Sequence, residues 1–84
     1  MAFVSQGTKI REVSAGGKHS LFLALDGSVY SSGSNDFGQL GYESEGSVDL
    51  PRKVPVLKCT QVCSGLVHSQ VLTAGGQVFS FGDN

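Results

Sequence analysis

The sequence predicts an all-β fold built from repeated sheets, chiefly because one segment occurs twice. Residues 13–35 and 62–84 align without a gap at a spacing of 49 positions, and ten of the 23 aligned pairs are identical. In both copies glycine-containing turns separate short apolar runs. No stretch of a dozen residues has the three- and four-residue apolar spacing of a capped amphipathic helix. A repeat of this length is typical of solenoids, propellers and arrays.

Six strands follow from the alternation of residues and the turn signals. The clearest is Ser20–Leu25, whose three leucines share one face while Phe22 and Ala24 share the other, so both faces should be covered. Asp26-Gly27 then predicts a tight hairpin turn of a primed type, with positive φ at both central residues, leading into Val29–Ser32. The second copy has Gly75-Gly76 at the aligned place. The other predicted strands are Ile10–Ala15, Cys59–Ser64, His68–Thr73 and Gln77–Phe81.

The connection after the first hairpin is rich in glycine, asparagine and aspartate. Gly33–Gly41 must therefore turn, and we expect its two large apolar residues, Phe37 and Leu40, to pack under the sheet. Farther on, Pro51 and Pro55 bracket a short segment. Proline cannot donate a backbone hydrogen bond, so any strand here should lie at the edge of its sheet.

Between these features, Tyr42–Leu50 is predicted to be an acidic, solvated loop. It carries Glu43, Glu45 and Asp49, but these lack the regular spacing and final glutamate of a calcium loop. The alternative to a purely solvated loop is contact with a protein partner, since binding residues are often on loops over rigid scaffolds.

Composition limits the classes of function. The chain has 84 residues, room for one small domain, and a formal net charge of −1. There is thus no basic region for nucleic acid. The longest apolar run, Leu21–Leu25, is too short to cross a bilayer, and residues 1–9 lack the pattern of a secretory signal. We expect a cytoplasmic or nuclear location, with neither a nucleic acid nor a membrane as partner.

The two cysteines, Cys59 and Cys63, are four positions apart on a predicted strand. Four strand residues span roughly 13 Å, whereas a disulfide needs Cα atoms within about 7 Å. The same separation argues against one shared zinc ion, whose bonds to sulfur are only about 2.3 Å long. We predict two buried free thiols in a reducing compartment, and no metal or other cofactor.

The two histidines are each followed by serine, which raises the question of catalysis. Neighbouring strand residues point to opposite faces, so His19 and Ser20 cannot form a catalytic pair by themselves, and neither can His68 and Ser69. No nucleophile elbow surrounds any serine. The sequence therefore predicts structural histidines, hydrogen-bonded to backbone between strands, and no catalytic residue.

The pattern AGGKHSLFLALDGSVYSSGSNDFGQLG resembles the repeat of the regulator of chromosome condensation (RCC1-like) family. The second copy departs from it by glycine at position 75 and by the lack of the closing Gly-Gln-Leu-Gly. We call the matching positions the signature residues and predict structural roles for them. They are Gly16, His19, Ser20, Gly27, Gly33, Asn35, Gly38, Gln39, Leu40, Gly41, Gly65, His68, Ser69, Gly76, Gly82 and Asn84.

The resemblance implies a β-propeller of seven blades with four strands each, of which this chain holds about one and a half repeats. Residues 1–8 form a lead-in, residues 9–57 the first repeat and residues 58–84 a truncated second one. Such a chain cannot close a ring alone. We expect a piece of a longer protein; the alternatives are a truncated gene product and, if the chain is complete as given, self-association.

The resemblance leaves three functions open. The first is a protein–protein interaction scaffold or regulatory module, without enzyme activity. The second is part of a guanine-nucleotide exchange factor for the small GTPase Ran, in which the family uses a propeller face and a protruding hairpin wedge. Nothing in Gly33–Leu57 identifies that wedge here. The third is the propeller module of a HECT-type ubiquitin ligase.

Overall fold

A computed structural model describes residues 9–44 and 46–82, which form seven strands in two antiparallel sheets. Sheet A has the order β1-β2-β3-β4 and sheet B the order β5-β6-β7. No helix that could cross a membrane occurs in these residues. The strands are β1 Ile10–Ala15, β2 His19–Ala24, β3 Val29–Gly33, β4 Val48–Lys53, β5 Cys59–Ser64, β6 His68–Thr73 and β7 Val78–Gly82.

The all-β prediction is confirmed, and β1, β5 and β6 have the predicted bounds. Both faces of β2 are covered, with Leu21, Phe22, Leu23 and Ala24 all buried. The prediction that Leu25 is a covered residue of this strand is wrong, because Leu25 lies past the end of β2 and is 62% exposed. The predicted boundary between repeats falls in the connection from β4 to β5 and stays a prediction.

The turn between β2 and β3 is a hairpin of a different type from the one predicted. Of its residues only Gly27 has positive φ, at 92°, and Asp26 does not. Ala24 donates its N–H to the Ser28 carbonyl at 2.8 Å and accepts from Gly27 N–H at 3.0 Å. This is a three-residue loop that ends on a left-handed glycine. The Asp26 carboxylate accepts from Ser28 N–H at 2.9 Å, and that bond lowers the pKa of Asp26.

Strand β4 lies at the edge of sheet A and contains Pro51, as the proline positions predicted. The acidic loop is shorter than expected, because buried Val48 begins β4 and pairs with Gly33. Within the preceding turn, Leu40 is fully buried as predicted. Phe37 is not packed under the sheet and is 52% exposed.

The core lies between the two sheets. Leu23 and Val29 of sheet A pack with Cys59 and Val71 of sheet B, and Val54 closes the cluster from the connection between the sheets. Backbone hydrogen bonds reinforce this contact. Cys59 N–H donates to the Gly27 carbonyl at 2.8 Å, and Val54 N–H donates to the Val29 carbonyl at 2.8 Å. The two sheets are therefore packed as one unit.

The cysteines are both free, as predicted, but only Cys59 is buried. Cys63 is exposed, so the prediction of two buried thiols is wrong for this residue. The reason is a break in register between Cys59 and Gln61 in the pairing of β5 with β6. An extra residue in one strand reverses which face the following side chains occupy. Val62 consequently faces the core and Cys63 faces solvent.

Candidate interaction surface

A buried hydrogen-bond network joins the two sheets at Ser69. This side chain is fully buried, and its hydroxyl donates to the Gln39 carbonyl at 2.6 Å. Its Oγ also lies 2.9 Å from Nε2 of His19. The same Nε2 lies 3.1 Å from the carbonyl oxygen of His68. The network thus connects β2, β6 and the turn that follows β3.

The donors and acceptors of this network exclude a serine nucleophile here. A carbonyl only accepts, so the contact with His68 requires a proton on Nε2 of His19. The Ser69 hydroxyl donates its proton to the Gln39 carbonyl, so its oxygen accepts the hydrogen bond from Nε2–H of His19. Nε2 therefore has no lone pair with which to remove the serine proton. Nδ1 of His19 is buried and has no hydrogen-bond partner among residues 9–44 and 46–82.

The environment of His19 also favours the neutral imidazole. Burial lowers the pKa of His19, and the nearby His68 imidazole acts in the same direction, while the hydrogen bond to the His68 carbonyl opposes them. The predicted backbone contact of a histidine between strands is present at His19. The contact with Ser69 was not predicted, since the two residues are 50 positions apart and only their own neighbours were considered.

The glycine three positions before each histidine leaves room for the imidazole ring. A Cβ on Gly16 would lie 2.5 Å from Cε1 of His19, and a Cβ on Gly65 would strike the His68 ring. Each glycine donates its N–H to the carbonyl of the histidine three positions later, Gly16 to His19 at 2.8 Å and Gly65 to His68 at 2.9 Å. The three-residue spacing of glycine and histidine therefore reflects a tight turn that packs against the imidazole ring.

The Gly-Gln-Leu-Gly turn, residues 38–41, is wedged between the sheets. Gln39 and Leu40 are buried, and the Leu40 carbonyl accepts from the Ser31 hydroxyl at 2.8 Å. Asn35 holds the turn closed, because its Oδ1 accepts from Leu40 N–H at 3.1 Å and its Nδ2 donates to the Tyr42 carbonyl at 2.7 Å. Of the remaining signature residues, Asn84 lies outside the described residues.

One edge of the junction carries a groove formed by loops from both sheets. These loops are tied together, since Gly17 N–H donates to the Leu66 carbonyl at 3.2 Å and Ser34 N–H donates to the Lys18 carbonyl at 2.8 Å. The groove has a volume of about 300 Å³. We call it the loop groove; Gly17, Lys18, Ser34, Asp36, Phe37, Gln39, Leu66 and Val67 line it.

The loop groove exposes two large apolar side chains between opposite charges. Phe37 is 52% exposed and Leu66 is 74% exposed, and Lys18 and Asp36 lie beside them. Apolar side chains grouped on a surface with a polar rim are characteristic of interaction sites. The sequence analysis missed this site, because Phe37 was expected inside and Leu66 was not considered.

The acidic residues predicted as a partner loop lie on different features of the structure. Glu43 lies on an open cleft of 480 Å³ with Asn35, Tyr42 and others, whereas Asp49 is exposed on β4. Glu45 lies outside the described residues. Within the described ranges, no group of three or more His, Cys, Asp or Glu side chains could hold a metal ion.

Comparison with known proteins identifies this arrangement. A family model for the regulator of chromosome condensation (RCC1) repeat matches residues 26–72, and a second model of the same description matches residues 10–39. The chain belongs to the RCC1 repeat family. Its two sheets are accordingly neighbouring blades of a partial β-propeller, a fold in which sheets of four strands are arranged around a central channel.

Three relatives show how much of a protein this chain represents. It is 43% identical over 80 residues to the human probable E3 ubiquitin-protein ligase HERC3, covering 92% of the chain and 8% of the ligase. It is 43% identical over 89 residues to the human regulator of chromosome condensation, covering 99% of the chain and 21% of that protein. The structure of Prp20p from Saccharomyces cerevisiae superposes with a TM-score of 0.86 at 30% identity, covering 96% of the chain and 22% of Prp20p. The chain thus spans less than a quarter of each.

Proposed function

We propose that this pair of blades is a non-catalytic module of an RCC1-type propeller and that it binds a protein partner through the loop groove. The observation that carries the proposal is the pairing of exposed Phe37 with exposed Leu66. They come from loops of different blades, and both loops are hydrogen-bonded to the turn at Gly17 and Lys18. A groove held by two packed sheets needs little ordering when a partner binds. The donor pattern at His19 and Ser69, which excludes a serine nucleophile, supports a binding role.

A small GTPase is the first candidate partner. Prp20p, to which the chain is similar, has binding properties toward Gsp1p and histones. This similarity supports either partner class for the present chain. It also makes a nuclear location the first candidate, with the cytoplasm as the alternative. As part of an exchange factor, the two blades would contribute to the propeller face that contacts the GTPase.

A binding assay with matched variants tests the proposal. The immobilised chain is exposed to nucleotide-free Ran, to GDP-loaded Ran and to core histones, and dissociation constants are measured. Leu66→Ser should weaken binding about tenfold, as expected for loss of a central apolar contact. Leu50→Ser is the control, since Leu50 on β4 is 71% exposed and lies outside the groove. If the two substitutions changed the dissociation constant equally, the loop groove would not be the binding site.

The exchange and ligase functions are separated by other measurements. Nucleotide release from Ran should accelerate in the presence of the natural polypeptide if it is an exchange factor, and unchanged release would contradict that function. The similarity to HERC3 favours a second candidate, the propeller module of a ubiquitin ligase. Mass spectrometry of the natural polypeptide, captured with an antibody to residues 33–51, should then show a HECT-type domain with an active-site cysteine.

The acidic residues remain part of the proposal as a second contact. Exposed Glu43 and Asp49 would meet basic groups of the partner, with Glu45 between them in sequence. Joint replacement of Glu43 and Asp49 by lysine should slow association and reduce its dependence on salt. Association rates that are unaffected at low salt would show that this loop does not face the partner.

A further inference from the structure

The two sides of the loop groove come from the two blades that pack against each other in this chain. Phe37 lies on the turn after β3 of the first blade, and Leu66 lies between β5 and β6 of the second. Gly17 also lines the groove, and a Cβ there would lie 2.5 Å from Cδ1 of Leu66. The leucine side chain therefore lies over the first blade. The shape of the groove is set by contacts between described residues of both blades.

Phe37 lies on a turn whose backbone is fixed on both sides of it. Its N–H donates to Oε1 of buried Gln39 at 2.9 Å. Asn35 closes the same turn, since its carbonyl accepts from Gly38 N–H at 3.2 Å and its Oδ1 accepts from Leu40 N–H at 3.1 Å. A side chain on a backbone that is already ordered loses little entropy when it contacts a ligand. Phe37 is thus a preformed apolar contact for a ligand.

Two side chains of opposite charge lie at the same groove. Lys18 and Asp36 are both exposed and both line it. The ion pair found among residues 9–44 and 46–82 joins Lys58 to Asp26, so Lys18 and Asp36 are not paired with each other. Each of the two charges is therefore exposed to a ligand group of the opposite sign.

The volume of the groove limits what can enter it. At about 300 Å³ it is at the lower end of the range for ligand pockets. A single turn of an α-helix, about 10 Å across and about 5.4 Å long, already occupies roughly 400 Å³. The groove therefore takes one large side chain, while the backbone that carries this side chain stays outside.

We propose that the loop groove binds an extended segment of a partner protein, in which one large apolar residue lies between an acidic and a basic residue. This inference rests on the binding role proposed above for the groove and names the chemistry of its ligand. The apolar side chain packs between Phe37 and Leu66, the carboxylate meets Lys18 and the cation meets Asp36. Side chains of an extended segment alternate in direction. The three contacting residues are therefore at every second position and span roughly 13 Å.

Short peptides test this pattern against the immobilised full chain. The mixed peptides Gly-Glu-Ser-Leu-Ser-Lys-Gly and Gly-Lys-Ser-Leu-Ser-Glu-Gly carry the two charges in the two possible orders. At least one of them should bind, and replacing its leucine by serine should raise the dissociation constant about tenfold or more. Phe37→Ala in the chain should have a similar effect, whereas Leu50→Ser, outside the groove, should have none. Failure of both mixed peptides to bind overturns the proposal.

Charge reversal tests the two ionic contacts. Lys18→Glu should weaken binding of the mixed peptide about threefold to tenfold, because attraction becomes repulsion. It should also strengthen binding of the peptide that has lysine in both charged positions. Asp36→Lys should likewise favour the peptide that has glutamate in both. Misfolding cannot produce such a gain. Lys53→Glu is the control, since it makes the same change of charge on β4, outside the groove. Equal gains in Lys18→Glu and Lys53→Glu overturn the charge pattern.

The results also separate this inference from the proposed function. If Ran or histones bind in a manner that depends on Leu66 while neither mixed peptide binds, the groove remains a binding site and the extended segment is wrong. If a mixed peptide binds with the expected dependence and neither Ran nor histones bind, the inference is supported and those two partners are wrong. If nothing binds, both are overturned. Peptides with two like charges that bind as tightly as the mixed ones overturn the ionic contacts.

Discussion

The junction network predicts a large difference between two serine-to-alanine substitutions at aligned positions. Ser69 is fully buried and makes hydrogen bonds to Gln39 and His19. Ser20, its counterpart in the first blade, is half-buried. The Ser20 hydroxyl makes no hydrogen bond to residues 9–44 or 46–82. The two substitutions remove the same atom, so their difference isolates the contribution of the network.

The magnitude follows from the contacts that are lost. Each hydrogen bond contributes about 1 kcal/mol, and a buried acceptor left without a donor costs about 1–3 kcal/mol. Ser69→Ala should therefore lower the free energy of unfolding by about 2–3 kcal/mol, since the Gln39 carbonyl loses its donor. For a domain of this size that corresponds to a fall of roughly 10–20 °C in Tm. Ser20→Ala should stay within about 0.5 kcal/mol.

Urea denaturation followed by circular dichroism measures both variants against the unmodified chain. A shift in the midpoint without a change in the m-value would show that stability changed and the unfolding reaction did not. If the two substitutions lower stability by the same amount, the network does not hold the blades together. The same conclusion would follow if Ser69→Ala were harmless.

Three further predictions address other parts of the molecule. Burial keeps the folded-state pKa of His19 below its ordinary value of 6.5. The free energy of unfolding should therefore be highest above pH 6.5 and fall as the pH drops below it. Denaturation measured across pH should show a weaker dependence in His19→Gln. Gly75→Ala should stabilise the chain by about 0.5 kcal/mol, whereas Gly76→Ala should destabilise it by about 1 kcal/mol, because only Gly76 has positive φ, at 90°. Thermal denaturation that ranks these two variants in the opposite order would contradict the assigned turn. Cys63 should react with a thiol reagent in the folded chain and buried Cys59 only after unfolding, because burial also raises the pKa of the Cys59 thiol; a titration of two thiols in the folded chain would be inconsistent with the core.

The features that the sequence predicted are those decided by local interactions. The end of β5 at Ser64, for example, follows from the glycine that comes next. The edge position of β4 follows from the missing N–H of Pro51. In each case the deciding residues are neighbours in the chain, so one sequence is enough to predict them.

The features that were missed depend on residues far apart or on one inserted residue. The hydrogen bond of His19 with Ser69 joins two copies of the repeat, and no spacing within one copy indicates it. Cys63 faces solvent because of a single break in the pairing of β5 with β6. Phe37 was expected inside because it is large and apolar. The turn buries Gln39 instead and leaves Phe37 half exposed. The Gln39 Oε1 accepts a hydrogen bond from Phe37 N–H at 2.9 Å.

The repeat seen in the sequence and the unit of packing in the structure are therefore different. His19 and Gln39 of the first blade are completed by Ser69 of the second, and Gly82 of the second blade approaches Gln39, where a Cβ would lie 3.0 Å from Cβ of Gln39. Four signature residues, two from each blade, thus form one contact between blades. The match over residues 26–72 likewise begins in a turn of the first blade and ends in β6 of the second. A signature residue such as His19 should accordingly be interpreted by the contacts that it makes in both blades.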